Sequence, residues 1–165
     1  MPTNFEDLVR QYADKKKSAA ESVDWEERKE WWKGRVSLLF DEILNWLKNL
    51  VESGTIEFTR GNVSLTEEAL GPYEVESCTI ILQQEKLTFK PVGSVIIGGF
   101  GRIDVDGPNG HVMLILCTPD NNVPPNERRN KAEWFISHPK QRTNLRPFTK
   151  EAFEQLFADL FGIGE

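Results

Sequence analysis

Apolar residues recur along the chain with two different periods, and the point where the period changes divides it. Over residues 4 to 20, Phe5, Leu8, Val9 and Tyr12 follow the i, i+3, i+4, i+7 spacing of an amphipathic helix, with Thr3 and Glu6 in capping-box positions ahead of it. A second helix starts at Asp24, a cap with Glu27 at the reciprocal position. Trp25, Trp32, Val36, Leu39, Ile43, Trp46 and Leu50 then recur in steps of three, four and seven until Ser53-Gly54 stops it. At 1.5 Å per residue this helix is on the order of 40 Å long and dominates the fold. Phe40, Leu47 and Val51 widen its apolar stripe, while Trp31 and Leu38 fall near the opposite side. Either the first helix packs over Trp31 and Leu38, or the two belong to an exposed contact patch for a partner.

From Thr55 the period becomes two. Strands are predicted at Ile56–Phe58, Val63–Leu65, Cys78–Leu82, Leu87–Phe89, Val95–Ile97, Ile103–Val105 and Val112–Cys117, with turns at Arg60-Gly61-Asn62, Gln83–Lys86 and Gly107–Gly110. A polar loop covers 118–131, Trp134–Ser137 is a further strand, and 138–147 reads as a second loop. Thr149 caps a last helix in which Phe153, Leu156, Phe157, Leu160 and Phe161 face the core before Gly162 ends it. Helices and strands are segregated rather than alternating, so the expected class is α+β: N-terminal helices, an antiparallel meander of about six to eight short strands, and a C-terminal helix packed on the sheet. Residues 1–165 are expected to form one domain, with 1–53 helical, 55–137 mainly sheet and 149–161 the closing helix.

Composition narrows the class of protein. The chain has 165 residues, is 39% hydrophobic and carries a net charge of −6, which excludes a disordered, collagen-like or disulfide-stapled chain and disfavours phosphate backbones as partners. The longest apolar run, Val112–Cys117, is far short of the roughly 18 residues that span a bilayer, and the N-terminus lacks the pattern of a signal peptide, so the expected location is cytoplasmic, with no membrane partner. Cys78 and Cys117 lie in strand-like surroundings without C-x-x-C spacing and read as buried small hydrophobes. Residues 121–150 hold seven basic and two acidic residues, a local +5 that leaves −11 for the remainder. Arg128, Arg129, Arg142 and Arg146 are therefore candidates for binding an anion, although basic loops that complement an acidic body are the plainer explanation.

The candidate chemistry is sparse. Gly98-Gly99-Phe100-Gly101 follows an apolar strand but leads into the alternating Arg102–Asp106 rather than a helix, so it marks a bend or a close backbone approach, not a phosphate loop. A four-residue turn at Gly107–Gly110 places Asp106 opposite His111 and Asp104 opposite Met113, so Asp104, Asp106 and His111 share a face and supply three potential metal ligands, with His138 a conceivable fourth. Met113 and Ile115 on that same face require a cover, which the long helix would provide. The spacing is wrong for an EF-hand, and no serine or cysteine stands in a nucleophile elbow. Glu67-Glu68 and Glu26-Glu27 read as solvated carboxylates. The segment Leu87–Leu116, with Leu87-Thr-Phe-Lys-Pro-Val-Gly93 and Gly99-Phe-Gly-Arg-Ile-Asp-Val-Asp-Gly-Pro-Asn-Gly110, resembles a segment of bacterial proteins to which no function is attached; the resemblance implies a bacterial source and nothing about activity. The leading expectation is a non-enzymatic interaction module without a cofactor, an acidic inhibitor or immunity-like protein whose partner is another protein or a second copy of itself. The alternatives are a metal-dependent or hydrolytic enzyme at Asp104, Asp106 and His111, and a phosphate or nucleic-acid binder using residues 128–150.

Overall fold

A computed structural model describes residues 4–21, 24–96, 98–138 and 141–164, with the side chains of 15–21 and 141–143 outside the description. Helix α1 (Phe5–Glu21) is followed by α2 (Trp25–Trp46) and the short α3 (Lys48–Glu52). Seven strands then succeed one another: β1 (Ile56–Glu67), β2 (Gly71–Leu82), β3 (Glu85–Gly93), β4 (Gly101–Gly107), β5 (Gly110–Cys117), β6 (Glu133–His138) and β7 (Gln141–Pro147). A single turn of helix, α4 (Pro125–Arg128), interrupts the connection before β6, and α5 (Lys150–Phe161) closes the chain. All seven strands form one sheet in sequence order with every neighbour antiparallel, the expected meander.

Helix caps follow from local chemistry. The Asp24 carboxylate accepts from the Glu27 amide at 2.9 Å, and Thr149 Oγ1 accepts from the Ala152 amide at 3.1 Å. Gly162, in the left-handed region at φ 73°, ends α5 as expected. At the start of α1 the cap is Asn4, whose side chain accepts from the Asp7 amide at 2.8 Å; the expected Thr3 lies outside the described residues. The long helix does not run unbroken to Ser53. At Leu47 the backbone shifts to φ −97°, ψ 4°, and the Leu47 amide donates to both Ile43 and Leu44 carbonyls. Leu47 stays buried through this break, and Trp46 meets Phe148 and Phe153 in tilted contacts at 5.7 and 5.4 Å.

Two glycines set how closely the helices lie on the sheet. Gly101, Ile103, Val105 and Gly107 alternate onto the face that α2 and α5 cover. A Cβ on Gly101 would fall 2.0 Å from the Trp32 ring, and one on Gly107 2.8 Å from Leu160. The Gly98–Gly101 stretch is thus a close approach rather than a ligand loop. Beneath the helices Trp32, Val36, Phe40, Ile43, Ile80, Leu87, Phe89, Leu114, Leu116 and Phe153 form one contiguous core. On the other face Met113 is buried and Ile115 half-buried. They are covered not by the long helix but by the β3–β4 connection, where the Gly99 backbone sits against Ile115 and the Phe100 amide donates to the Leu116 carbonyl at 2.6 Å.

The hairpin of β1 and β2 departs furthest from the predicted strands. Arg60-Gly61-Asn62 is not a turn: register runs unbroken from Ile56↔Leu82 to Glu67↔Gly71, and Gly61 pairs with Ser77 in mid-strand. The inward positions nevertheless change parity there, from Ile56, Cys78 and Ile80 to Tyr73 and Val75. A two-stranded ribbon twists more strongly than a wide sheet, so its far half presents the opposite face to the core. Arg60 pins the near half to α2, pairing with Asp41 and with Glu76 and donating to the Ser37 carbonyl at 3.0 Å. Two further expectations are corrected. Val95 and Ile96 form no regular strand, only a bridge between Ile96 and Gly99, and Ile97 is outside the described residues. The segment after His138, read as a loop, holds the edge strand β7.

Candidate interaction surface

Helix α1 forms as its periodicity predicts, yet the apolar stripe is largely exposed: Phe5 is 79%, Leu8 54% and Val9 49% accessible. Its described ion pairs, Arg10 with Glu6 and Asp7, are internal and at 3.6 and 3.7 Å contribute little. On α2, Leu38 is likewise 63% exposed and flanks a shallow depression between α2 and the β6–β7 side of the sheet, lined by Arg35, Glu42, Glu133, Trp134 and Phe148.

Trp31 has a different fate from both readings of the sequence. It is covered neither by α1 nor left open for a partner. Phe100 meets it edge-on at 6.0 Å, and the guanidinium groups of Arg129 and Arg35 lie over its ring at 5.3 and 5.8 Å. Arg129 also pairs with Glu27 at 2.8 Å, and Arg28 donates to the Ser94 carbonyl at 3.1 Å with Phe100 beneath it. The first half of α2 is therefore held to the β3–β4 connection by Trp31 and Arg28 on Phe100 and by Arg28 on Ser94, and to the connection before β6 by Arg129; cation–π contacts of this kind are worth about 0.5–2 kcal/mol. Of the two α2 residues singled out by helical angle, Leu38 is exposed and Trp31 half-buried.

The three described arginines of the basic segment lie in different surroundings. Arg128 is turned into its own loop, donating to the carbonyls of Thr118, Asp120 and Val123 while Thr118 Oγ1 donates back to the Arg128 carbonyl at 2.5 Å. Arg129 is engaged by Glu27 and Trp31, and the Arg142 side chain lies outside the described residues. Arg146 faces a cavity, described below.

The hairpin β4–β5 has the predicted register, Asp106↔His111 and Asp104↔Met113. However, Asp104 is gripped by Arg102, its neighbour on the same face, through Nε at 2.8 Å and Nη2 at 3.2 Å. Among the described residues no group of three or more His, Cys, Asp or Glu is placed to hold a metal ion. The two cysteines are free, and burial pushes both thiols up from their ordinary range, in keeping with packing rather than reactivity.

Glu67 is the polar residue that sequence reasoning misplaced. Its neighbour Glu68 is solvated, but the Glu67 carboxylate turns inward and accepts from the Ser94 amide at 2.9 Å, the Val95 amide at 2.8 Å, Ser94 Oγ at 2.9 Å and the Tyr73 hydroxyl. Burial alone would raise its pKa; the donors, Tyr73 foremost, outweigh this and hold it below the ordinary carboxylate value. Burial and the adjoining Glu67 charge push the Tyr73 hydroxyl well up. The cluster fastens the hairpin tip to the β3–β4 connection. With every acceptor position filled from within the chain, it is a structural clasp. The signal that finds it in the sequence is weak: a carboxylate two residues from Leu65 on the parity that becomes inward only after the ribbon twists.

Comparison with protein families, with characterised proteins and with solved structures finds no match for the chain. No described helix is long and apolar enough to cross a membrane.

Proposed function

We propose that the protein is a non-enzymatic interaction module of the bacterial cytoplasm whose helix α1 docks, apolar stripe inward, into a groove on another protein. The observation that carries this reading is the exposed stripe of Phe5, Leu8 and Val9 on a regular, capped helix. Isolated helices of about this length are marginal in water, and three largely exposed apolar side chains leave on the order of 3 kcal/mol of burial unrealised. Helix-in-groove recognition uses this spacing of anchors. The −11 charge outside residues 121–150 supports a partner with a basic surface, the acidic-inhibitor or immunity-like form of the reading.

The test compares immobilised wild-type protein with the variant Leu8→Asp, Val9→Asp in capture from lysate at low and high salt, with the mass of each in solution measured in parallel. The variant is expected to lose a specific basic partner that the wild type retains, and the wild type to release it as salt rises. Self-association abolished by the same two changes would identify the partner as a second copy. Identical capture and identical mass for both proteins would overturn the proposal.

A further inference from the structure

A cavity of about 290 Å³ opens between the β4–β5 turn, the β6–β7 hairpin and α5. The chain has two histidines, and the fold brings both to this one place: His111 from the start of β5 and His138 from the end of β6. Arg146 of β7 completes a rim of nitrogen donors, while Val112, Ile136 and Leu156 supply an apolar floor. The β4–β5 turn is fixed against α5, since the Asn109 amide donates to the Leu160 carbonyl at 2.9 Å and its side chain to the Asp159 carbonyl at 3.0 Å. Two of the three walls of the cavity are thereby held together.

We propose that this cavity binds a small organic phosphate, its phosphoryl group held by Arg146 and the two imidazoles and its short carbon body on the apolar floor. Three observations carry the assignment. First, Arg60, Arg102, Arg128 and Arg129 each have a carboxylate or carbonyl partner, whereas among the described residues none pairs with Arg146. A planar guanidinium facing a concave site matches the oxygens of a phosphoryl group. Second, the carboxylate at the rim, Asp159, accepts from Gln155 Nε2 at 2.8 Å along its own helix, and Asp106, although the cross-strand neighbour of His111, does not line the cavity. Neither supplies the third ligand that would convert two histidines into a metal site. The imidazoles are left as hydrogen-bond donors, and a tetrahedral oxyanion has enough acceptors for all three groups. Third, the volume lies at the small end of the roughly 300–1,000 Å³ typical of ligand pockets, which suits a small phosphorylated metabolite.

The test is titration of the protein with phenyl phosphate, followed by calorimetry and by shifts of backbone amide resonances. Saturable 1:1 binding is expected, with inorganic phosphate weaker and phenol silent. Arg146→Gln, an exposed position that leaves the core untouched, is expected to weaken binding by at least about tenfold, the effect of losing a charge-assisted bidentate contact. Ala152→Phe, which fills the cavity from α5, is expected to abolish it. The proposal is overturned if phenyl phosphate shifts no resonances around the cavity, or if both variants bind it as the wild type does. This outcome is independent of α1 and of any protein partner.

Discussion

Gly101→Ala is expected to destabilise the protein by about 2–3 kcal/mol, although it adds a single methyl group. The added carbon would sit 2.0, 2.5 and 2.6 Å from three atoms of the Trp32 six-membered ring, so the whole indole has to move. It has nowhere to go: Trp32 is fully buried and lies against Trp134 at 6.1 Å between ring centres. Trp32→Ala alone should cost about 3–5 kcal/mol through the void it leaves. The pair is coupled, so Gly101→Ala in a Trp32→Leu background should cost at least about 1 kcal/mol less than it does in the wild type. Urea unfolding of the four proteins measures this directly. A Gly101→Ala variant as stable as the wild type would mean that α2 does not lie on β4 as closely as described.

Glu67→Gln is expected to lower stability by about 2–3 kcal/mol at neutral pH and to change how stability depends on acid. Each carboxylate oxygen accepts from two donors, so an amide must aim its NH2 group at two of them. The sign of the pH effect follows from the direction of the shift. The folded-state pKa is depressed below its ordinary 4.5, so the carboxylate's stabilisation is fully present above that value and is lost as pH falls through the lower folded value. Wild-type stability should therefore drop more steeply than that of Glu67→Gln as pH falls below about 4.5, and the two curves should converge in acid. Parallel curves would show that Glu67 is solvated after all. Faster amide exchange at Val95 in the variant would place the loss at the clasp.

The reasons some elements were legible and others were not are visible in particular residues. Asp24, Thr149 and Gly162 act through contacts within a few residues, so their sequence positions suffice to place helix ends. The Asp106↔His111 register is likewise set by a turn of fixed length. Arg60-Gly61-Asn62 misleads because a polar, glycine-containing triplet carries the same composition whether a chain reverses there or a ribbon changes its inward face. That distinction depends on the twist of two paired strands, a tertiary property. Trp31 and Leu38 share a helical angle, but what covers Trp31 comes from Phe100 and Arg129, far away in sequence. Periodicity shows which side chains face away from a helix's own stripe and is blind to what arrives from elsewhere. The sequence offers His138 as a companion of His111, but the arrival of Arg146 beside them is hidden for the same reason, since β7 carries no clear strand alternation and its pairing with β6 leaves no mark in the pattern.

The proposed function depends on α1 standing outside the folding core, and thermal unfolding of the isolated protein with Phe5, Leu8 and Val9 all replaced by Ser tests that most directly. With those side chains in water already, the midpoint should stay within about 2 °C of the wild type, since surface changes usually alter stability by under about 0.5 kcal/mol. A fall of about 10 °C or more would show that the stripe is packed within the chain and leaves no surface for a partner.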